Sequence, residues 1–399
     1  MDDVLISDTE NIACSFNKYF PAIGSRISES VPSCNISAKS YLRGDYLNSF
    51  MFSPVNSHYV DLAIHSLKNR PASLHSVPAS VLKTTSSIMS PILACIINRS
   101  ITSGIFPDHL KVARVVPVFK GGVKSEMSNY RPISILSIYS KIFEKVIYKQ
   151  VYSYLDTFSV LSPDQFGFRS GKSTAQALLH FLNSLYPILD SDGNVLSIFL
   201  DFSKAFDCVD HSLLLSKLRY YGFRGISLEW FRSYLENRRQ FVSVGDSTSS
   251  CIDVTNGVPQ GSVLGPFLFI LFINDLPNSS NNFKFTLFAD DSTLSFKLNP
   301  HDALLNSITV NSELGKVNHW LIANKIKINV EKTKYIIFAY RRRIHLQNIC
   351  IGEGEILRTQ NIKFLGVVID ENLKFEHHTR HVLSKISRSL GLLLSLIHI

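Results

Sequence analysis

The sequence predicts an α/β (α+β) fold built on a small buried sheet that ends in carboxylates, and three observations carry that prediction. Around Phe288-Ala289-Asp290-Asp291, apolar residues alternate at Phe283, Phe285 and Leu287 before the tetrapeptide and at Leu294, Phe296 and Leu298 after it. A period of two on both sides reads as a β-hairpin with acids at its tip. Val195 to Phe202 is an almost wholly apolar run broken near its end by Asp201, the pattern of a buried strand. Helical spacing fills much of the rest, most clearly over Ile135 to Leu155, where apolar residues stand at 135, 138, 139, 142, 143, 146 and 147.

Adjacent carboxylates at a turn repel unless water, a cation or protonation offsets the charge. Asp-Asp on a solvated loop is ordinary turn chemistry. A second acid released from the end of an apolar strand is different, because a buried carboxylate without a partner is costly. Asp201, Asp290 and Asp291 on neighbouring strands would suit two hard cations. Two such ions close together serve one reaction type above others, in-line displacement at phosphorus.

A chain of 399 residues is long enough for two or three subdomains around a sizeable core. Hydrophobic content of 45% and aromatic content of 11% exclude a disordered chain. Against 41 basic residues stand 32 acidic ones, and the net charge of +9 favours a polyanionic partner. Cys14, Cys34, Cys95, Cys208, Cys251 and Cys350 lie far apart with no CxxC spacing, as expected of free thiols in a reducing compartment. Met-Asp-Asp-Val at the start lacks the basic-then-apolar order of a signal peptide. The most apolar run, Val263 to Ile273, is too short for a bilayer and contains Pro266, so it reads as a buried core helix. An intracellular, soluble protein with no membrane contact is expected.

Taken in order, residues 1–59 are rich in Ser and Asn and read as a connecting region with only partial order. Ile88, Ile92, Ile96 and Ile97 recur at helical spacing, with Pro71, Pro78 and Pro91 as breaks. Val112 to Lys120 reads as a strand ending in a lysine before a Gly-Gly turn, and Asn129-Tyr130-Arg131-Pro132-Ile133 follows. The long helix after it carries Lys141, Lys145 and Lys149 in one row, either a nucleic-acid face or a solvated one. Gln165 to Thr174 ends like a phosphate-binding P-loop, but Phe166 stands where the first glycine is required and no apolar strand precedes it, which excludes an NTPase. Ser173 or Thr174 caps a helix running to Leu189. Asp207 and Asp210 brace the turn into a helix from His211, and a further helix, Leu228 to Leu235, precedes a strand over 240–244. Gly257 to Pro266 joins a glycine-rich turn to the apolar helix. Leu304 to Leu321 is helical by period, Phe364 to Ile369 reads as one strand, and the histidines at 377, 378 and 381 mark a helix start, because no spaced cysteines accompany them.

Phe-Leu-Asp-Phe-Ser-Lys-Ala-Phe-Asp (199–207), Gly-Val-Pro-Gln-Gly-Ser-Val-Leu-Gly-Pro (257–266) and Phe-Ala-Asp-Asp (288–291) occur in that order. Together they resemble motifs A, B and C of the reverse transcriptases of non-LTR retrotransposons, of the LINE type and jockey-like. The similarity covers roughly residues 70–385, and within it Gln165 to Thr174 resembles motif 2 of the family. It implies a right-hand polymerase: fingers over 60–194, a ferredoxin-like palm over 195–370, and a truncated thumb beginning at 371–399. It implies an RNA-directed DNA polymerase extending a primer 3′-hydroxyl with dNTPs on an RNA template. The alternative is a catalytically silent remnant that only binds nucleic acid.

The same resemblance implies roles for single residues. Asp201, Asp290 and Asp291, with the Phe202 carbonyl, would hold two Mg²⁺ ions, with Mn²⁺ as a substitute. Lys120 and Arg131 would hold the triphosphate, a point charge beside a bidentate fork. Phe206 would lie beneath the sugar and exclude a 2′-hydroxyl by shape, while Gln260 and Gly261 would line the nucleotide. Lys332 would donate a proton to the leaving pyrophosphate, or else be one of several charges bracketing a strand. An endonuclease module lies upstream in the resembled elements, with no counterpart here, and nuclear action on chromosomal DNA is implied.

Overall fold

The computed structural model describes residues 8–32, 35–69, 77–341 and 344–397, with side chains described as far as 394. Cys34 and Pro71 lie outside the described residues. Four helices come first: α1 (Thr9–Ser30), α2 (Ser57–His65), α3 (Ala79–Thr84) and α4 (Ser86–Ser103). Next come β1 (Val112–Phe119), β2 (Tyr130–Ile135), α5 (Ile138–Thr157), α6 (Thr174–Leu189) and β3 (Asn194–Leu200). They are followed by α7 (His211–Tyr220), α8 (Ile226–Leu235), β4 (Arg238–Val244), β5 (Ser247–Thr248), β6 (Ile252–Val254) and α9 (Leu264–Phe272). β7 (Lys284–Phe288) and β8 (Asp291–Leu298) precede α10 (Ala303–Ala323) and β9 (Lys334–Phe338). β10 (Cys350–Ile351), β11 (Gly354–Glu355), β12 (Leu357–Arg358), β13 (Asn361–Phe364), β14 (Val367–Asp370) and α11 (Glu376–Ile397) complete the order. Side-chain caps start several helices where the sequence offers them: Asn56 accepts from Tyr59 N, Ser137 from Ser140 N, Ser173 from Gln176 N and Asp210 from Leu213 N.

The chain divides into two compact units. One comprises Met1–Ser162, Lys204–Asp275 and Ile322–Lys327; the other comprises Pro163–Ser203, Leu276–Leu321 and Ile328–Ile399.

In the first unit a five-stranded sheet runs β2-β1-β4-β5, with β6 also on β4. β1 pairs antiparallel with β2, placing Val118 opposite Arg131, and parallel with β4. The sequence predicts only partial order at the start, yet α1 is a 22-residue helix. Ala13, Phe16, Phe20 and Ile23 bury one face of it against Val115 and Val242 of the sheet. That burial sustains a helix whose own propensity is low, with Pro21 and Gly24 inside it. Pro91, expected as a break, lies within α4. It forfeits one backbone bond, while Leu93, Ala94, Ile97 and Ile101 keep the helix seated. The Ile88, Ile92 and Ile96 row faces outward instead. Two of the three lysines in the α5 row meet α2 and the residue after it: Lys145 Nζ donates to Ser66 Oγ at 2.9 Å, and Lys149 Nζ lies 4.5 Å from the Tyr59 ring centre.

In the second unit the sheet order is β12-β9-β3-β8-β7. All seven residues of β3 are buried, as its almost wholly apolar run predicts, with Asn194 and Ser197 buried alongside. One face of β3 and β9 packs Val195, Phe199, Ile336 and Phe338 against Phe181, Leu185 and Leu189 of α6. The expected hairpin is present as β7 and β8, with Phe288 opposite Asp291. The expected single strand over Phe364 to Ile369 is instead a hairpin, β13 with β14. Leu365 and Gly366 both take positive φ, 48° and 90°, and reverse the chain between them.

Candidate active site

The acids sit where the central strand and the hairpin end together in the second unit. Leu200, the last residue of β3, lies opposite Ser292 of β8. One further step of that antiparallel register sets Asp201 against Asp291. Asp290 is the second residue of the two-residue turn between β7 and β8. Neighbouring backbone fixes the strand end: Asn329 N donates to the Asp201 carbonyl at 2.7 Å, and Asp201 N donates to Thr333 Oγ1 at 3.2 Å. Phe202, predicted to lend its carbonyl, is buried and forms an antiparallel bridge to Ile328. Asp290 and Asp201 are half-buried, and Asp291 is exposed.

Ala289, the first turn residue, holds φ at 54°. For a residue with a Cβ the left-handed region costs about 1–2 kcal/mol, and such strain persists only where surroundings enforce it. All-oxygen donors at one sheet end fit a hard divalent cation and disfavour a soft one. Among the described residues, no three His, Cys, Asp or Glu side chains are gathered into a closed ligand cluster. The fit is therefore one of donor chemistry and strand register. Lys332, in the turn before β9, is exposed, and its backbone N–H donates to Asn329 Oδ1 at 3.2 Å.

The predicted nucleotide-binding residues all belong to the first unit. Lys120 and Arg131 are exposed on the β1–β2 hairpin, and Lys120 N donates to the Asn129 carbonyl at 2.9 Å. Phe206 is half-buried and stacks on Phe269 of α9, with ring centres 4.4 Å apart. The turn that carries Phe206 and the glycine-rich segment interlock through backbone bonds. Val258 N donates to the Phe206 carbonyl, Gly257 N to the Val209 carbonyl and Ser134 N to the Gln260 carbonyl, at 2.7–2.9 Å. Gly257, at φ 82°, leaves no room for a Cβ, which would stand 2.9 Å from Asp207 Cα. Gly261, at φ 127°, faces the Ser134 carbonyl, with which a Cβ would collide more closely still. Both positions require glycine.

The sequence assigns Asp207 and Asp210 to bracing the turn into α7. Asp210 caps the helix and pairs with Lys325 at 2.6 Å. Asp207 accepts from Gln260 Nε2 at 2.9 Å, while its Oδ2 is buried with no hydrogen-bond partner among the described residues. Burial pushes the Asp207 carboxyl up to about 6, against the pull of Gln260, Lys204, Arg131 and Lys120.

Two buried polar side chains carry no signal that motifs A, B and C pick out. Glu144 Oε2 accepts from Val263 N at 2.5 Å and Leu264 N at 3.2 Å, closing the start of α9 beside Ser262 Oγ, which accepts from Gly265 N at 2.8 Å. Burial raises the Glu144 carboxyl, with Arg238 and those N–H groups acting the other way. Its signal is positional: 140, 144, 147 and 151 share one face of α5, and all four are buried. Gln165 is fully buried in the second unit, beside the acid-bearing turn. The segment that begins at Gln165 stands out in the sequence, but nothing there links this residue to the turn it supports, more than a hundred residues away.

The family described as reverse transcriptase (RNA-dependent DNA polymerase) matches residues 120–369. Three proteins of Drosophila melanogaster are similar over most of the chain. The probable RNA-directed DNA polymerase from transposon BS is 30% identical over 83% of this chain and 38% of its own length. The RNA-directed DNA polymerase from mobile element jockey is 30% identical over 73% and 32%. The probable RNA-directed DNA polymerase from transposon X-element is 29% identical over 74% and 32%. The chain spans about a third of the length of the curated relatives it matches. With the three motifs in order, the paired acids at one sheet end and these matches, the chain belongs to the reverse transcriptase family, as a domain of the non-LTR retrotransposon kind.

Proposed function

We propose that this chain extends the 3′-hydroxyl of a primer with dNTPs on an RNA template, as the polymerase part of a retrotransposition protein. The single observation that carries the proposal is the β3–β8 register, which brings Asp201 to the same sheet end as Asp290 and Asp291. In this reading the second unit's sheet serves as the palm, the β1–β2 hairpin belongs to the fingers, and α11 begins a thumb.

Asp201, Asp290 and Asp291, with the Phe202 carbonyl, would hold two Mg²⁺ or Mn²⁺ ions. When bound, such ions activate the attacking oxygen and offset charge on the leaving group. Lys120 and Arg131 neutralise the triphosphate by charge and by a planar fork. Phe206, seated on Phe269, presents a rigid ring that rejects a ribose 2′-hydroxyl by shape. Gln260 is oriented by Asp207, which takes its Nε2 hydrogen and leaves its amide oxygen to the nucleotide. Gly261 lines the nucleotide beside Gln260, and Lys332 supplies a proton to pyrophosphate. The excess of basic residues follows the phosphates of the hybrid with little reading of sequence. Action on chromosomal DNA places the work in the nucleus.

The test is primer growth: the purified chain, a DNA primer on an RNA template, dNTPs and Mg²⁺. Stepwise growth dependent on dNTPs supports the proposal. Tight binding without growth would replace it with the silent binder. Release of single nucleotides from the primer would indicate a metal-dependent nuclease, for which the Gly257 to Gly261 segment has no role.

A further inference from the structure

We propose that Gln165 is a positioning residue for the metal-binding acids, acting through the backbone of the turn that carries Asp290. The inference rests on the metal reading above and extends it to a residue outside motifs A, B and C. Gln165 Oε1 accepts two backbone hydrogen bonds at once, from Gly167 N at 2.8 Å and from Ala289 N at 3.0 Å. The backbone runs alongside as well: Phe166 N donates to the Leu287 carbonyl and Leu287 N donates to the Asp164 carbonyl, at 2.8 and 2.9 Å. The segment before α6 thus adds a short parallel pairing to the end of β7.

The side-chain bond falls on Ala289, the residue whose φ of 54° is unfavourable for anything but glycine. Something must hold that residue, and Gln165 makes the one side-chain bond to its N–H seen among the described residues. Gly167 completes the seat. A Cβ there would collide with Ala289 N and stand 2.9 Å from Phe288 C, so the chain passes flush against the turn. The carboxamide orientation is set by its two N–H donors, and the opposite end, Nε2, is buried without a partner among the described residues. A buried unpaired donor is a cost, so the group is retained for its oxygen. With the N–H of Ala289 held, Asp290 and Asp291 leave the turn at a fixed angle to the strand end at Asp201.

The test reads metal affinity directly. Mn²⁺ binding is measured by electron paramagnetic resonance on the purified chain with a dideoxy-terminated primer on an RNA template. The parent is compared with Gln165→Met, Gly167→Ala and Asp290→Asn. Met fills the space of Gln but cannot accept, while an alanine methyl at 167 pushes the same turn from the other side. Side chains that orient metal ligands from behind typically change affinity 10–100-fold. Both variants are expected to weaken Mn²⁺ binding by about 10-fold or more. Their binding of the hybrid in EDTA should match the parent, a readout that a purely structural defect would also lower. If Gln165→Met fails to fold, Gly167→Ala decides the matter. Parent-like Mn²⁺ affinity in a folded variant, with affinity lost in Asp290→Asn, overturns the role of Gln165 alone. A parent that binds no Mn²⁺ overturns the metal reading together with the inference built on it.

Discussion

Asp207 shows how one side chain ties the turn that carries Phe206 and the glycine-rich segment of the first unit to a pH response. Its carboxyl takes the Gln260 amide hydrogen and lies where burial pushes it up to about 6. Between the ordinary carboxylate range and about pH 6 the folded chain keeps this proton while the unfolded chain has released it. The folded state then binds more protons, so the stabilising contribution of Asp207 is present in acid and lost as pH rises through that window. From pH 4 to 6.5 the loss from this group amounts to roughly 2 kcal/mol. Urea unfolding at both pH values should show that fall in the parent and its absence in Asp207→Asn, whose amide oxygen can still accept from Gln260. An unchanged fall in the variant would assign the titration to another group.

At the scale of the element, α9 depends on a residue far from it in the chain. It is largely buried, and Ser262 Oγ takes only the Gly265 N–H of its first turn. Glu144 of α5 supplies the acceptor for Val263 N and Leu264 N, and also accepts from Ser140 Oγ and Tyr234 OH at 3.1 and 3.3 Å. Glu144→Ala would strand two helix N–H groups and two hydroxyls in the interior. The expected loss is about 3–5 kcal/mol, read as a lower urea midpoint with an unchanged slope. A loss below about 1 kcal/mol would show that packing and the Ser262 cap hold the end of α9 without Glu144. Elements divide sharply in how far they can be read from sequence. β3, β7 and β8 are legible because their pattern is local: an almost wholly apolar run, and alternation on both sides of a turn. α1 carries a local signal too, Ala13, Phe16, Phe20 and Ile23 at helical spacing, which the Ser and Asn content and the internal Pro21 and Gly24 obscure. Leu365-Gly366 reads as continuous strand because apolar residues flank it, although the glycine marks the reversal.

For the whole molecule, the acids at the sheet end are legible from the amino-acid order alone, since a strand that ends on a carboxylate is costly without a partner. The supports of the site are less so. Gln165 lies 124 residues from Ala289, and such a contact leaves no periodic trace. The second unit is also assembled from three separate stretches of chain, which no local pattern announces. Both units matter to function only if Asp201, Asp290 and Asp291 act together in phosphoryl transfer. The measurement that reaches that claim most directly is single-turnover incorporation of one dNTP on an RNA-templated DNA primer. The parent is set beside Asp201→Asn and Asp290→Asn, with hybrid binding measured for each. Each variant is predicted to bind the hybrid within about 3-fold of the parent and to lose about a thousandfold or more in the rate of incorporation. Incorporation at the parent's rate in either variant would contradict that claim, because the acid removed would then have no part in the reaction.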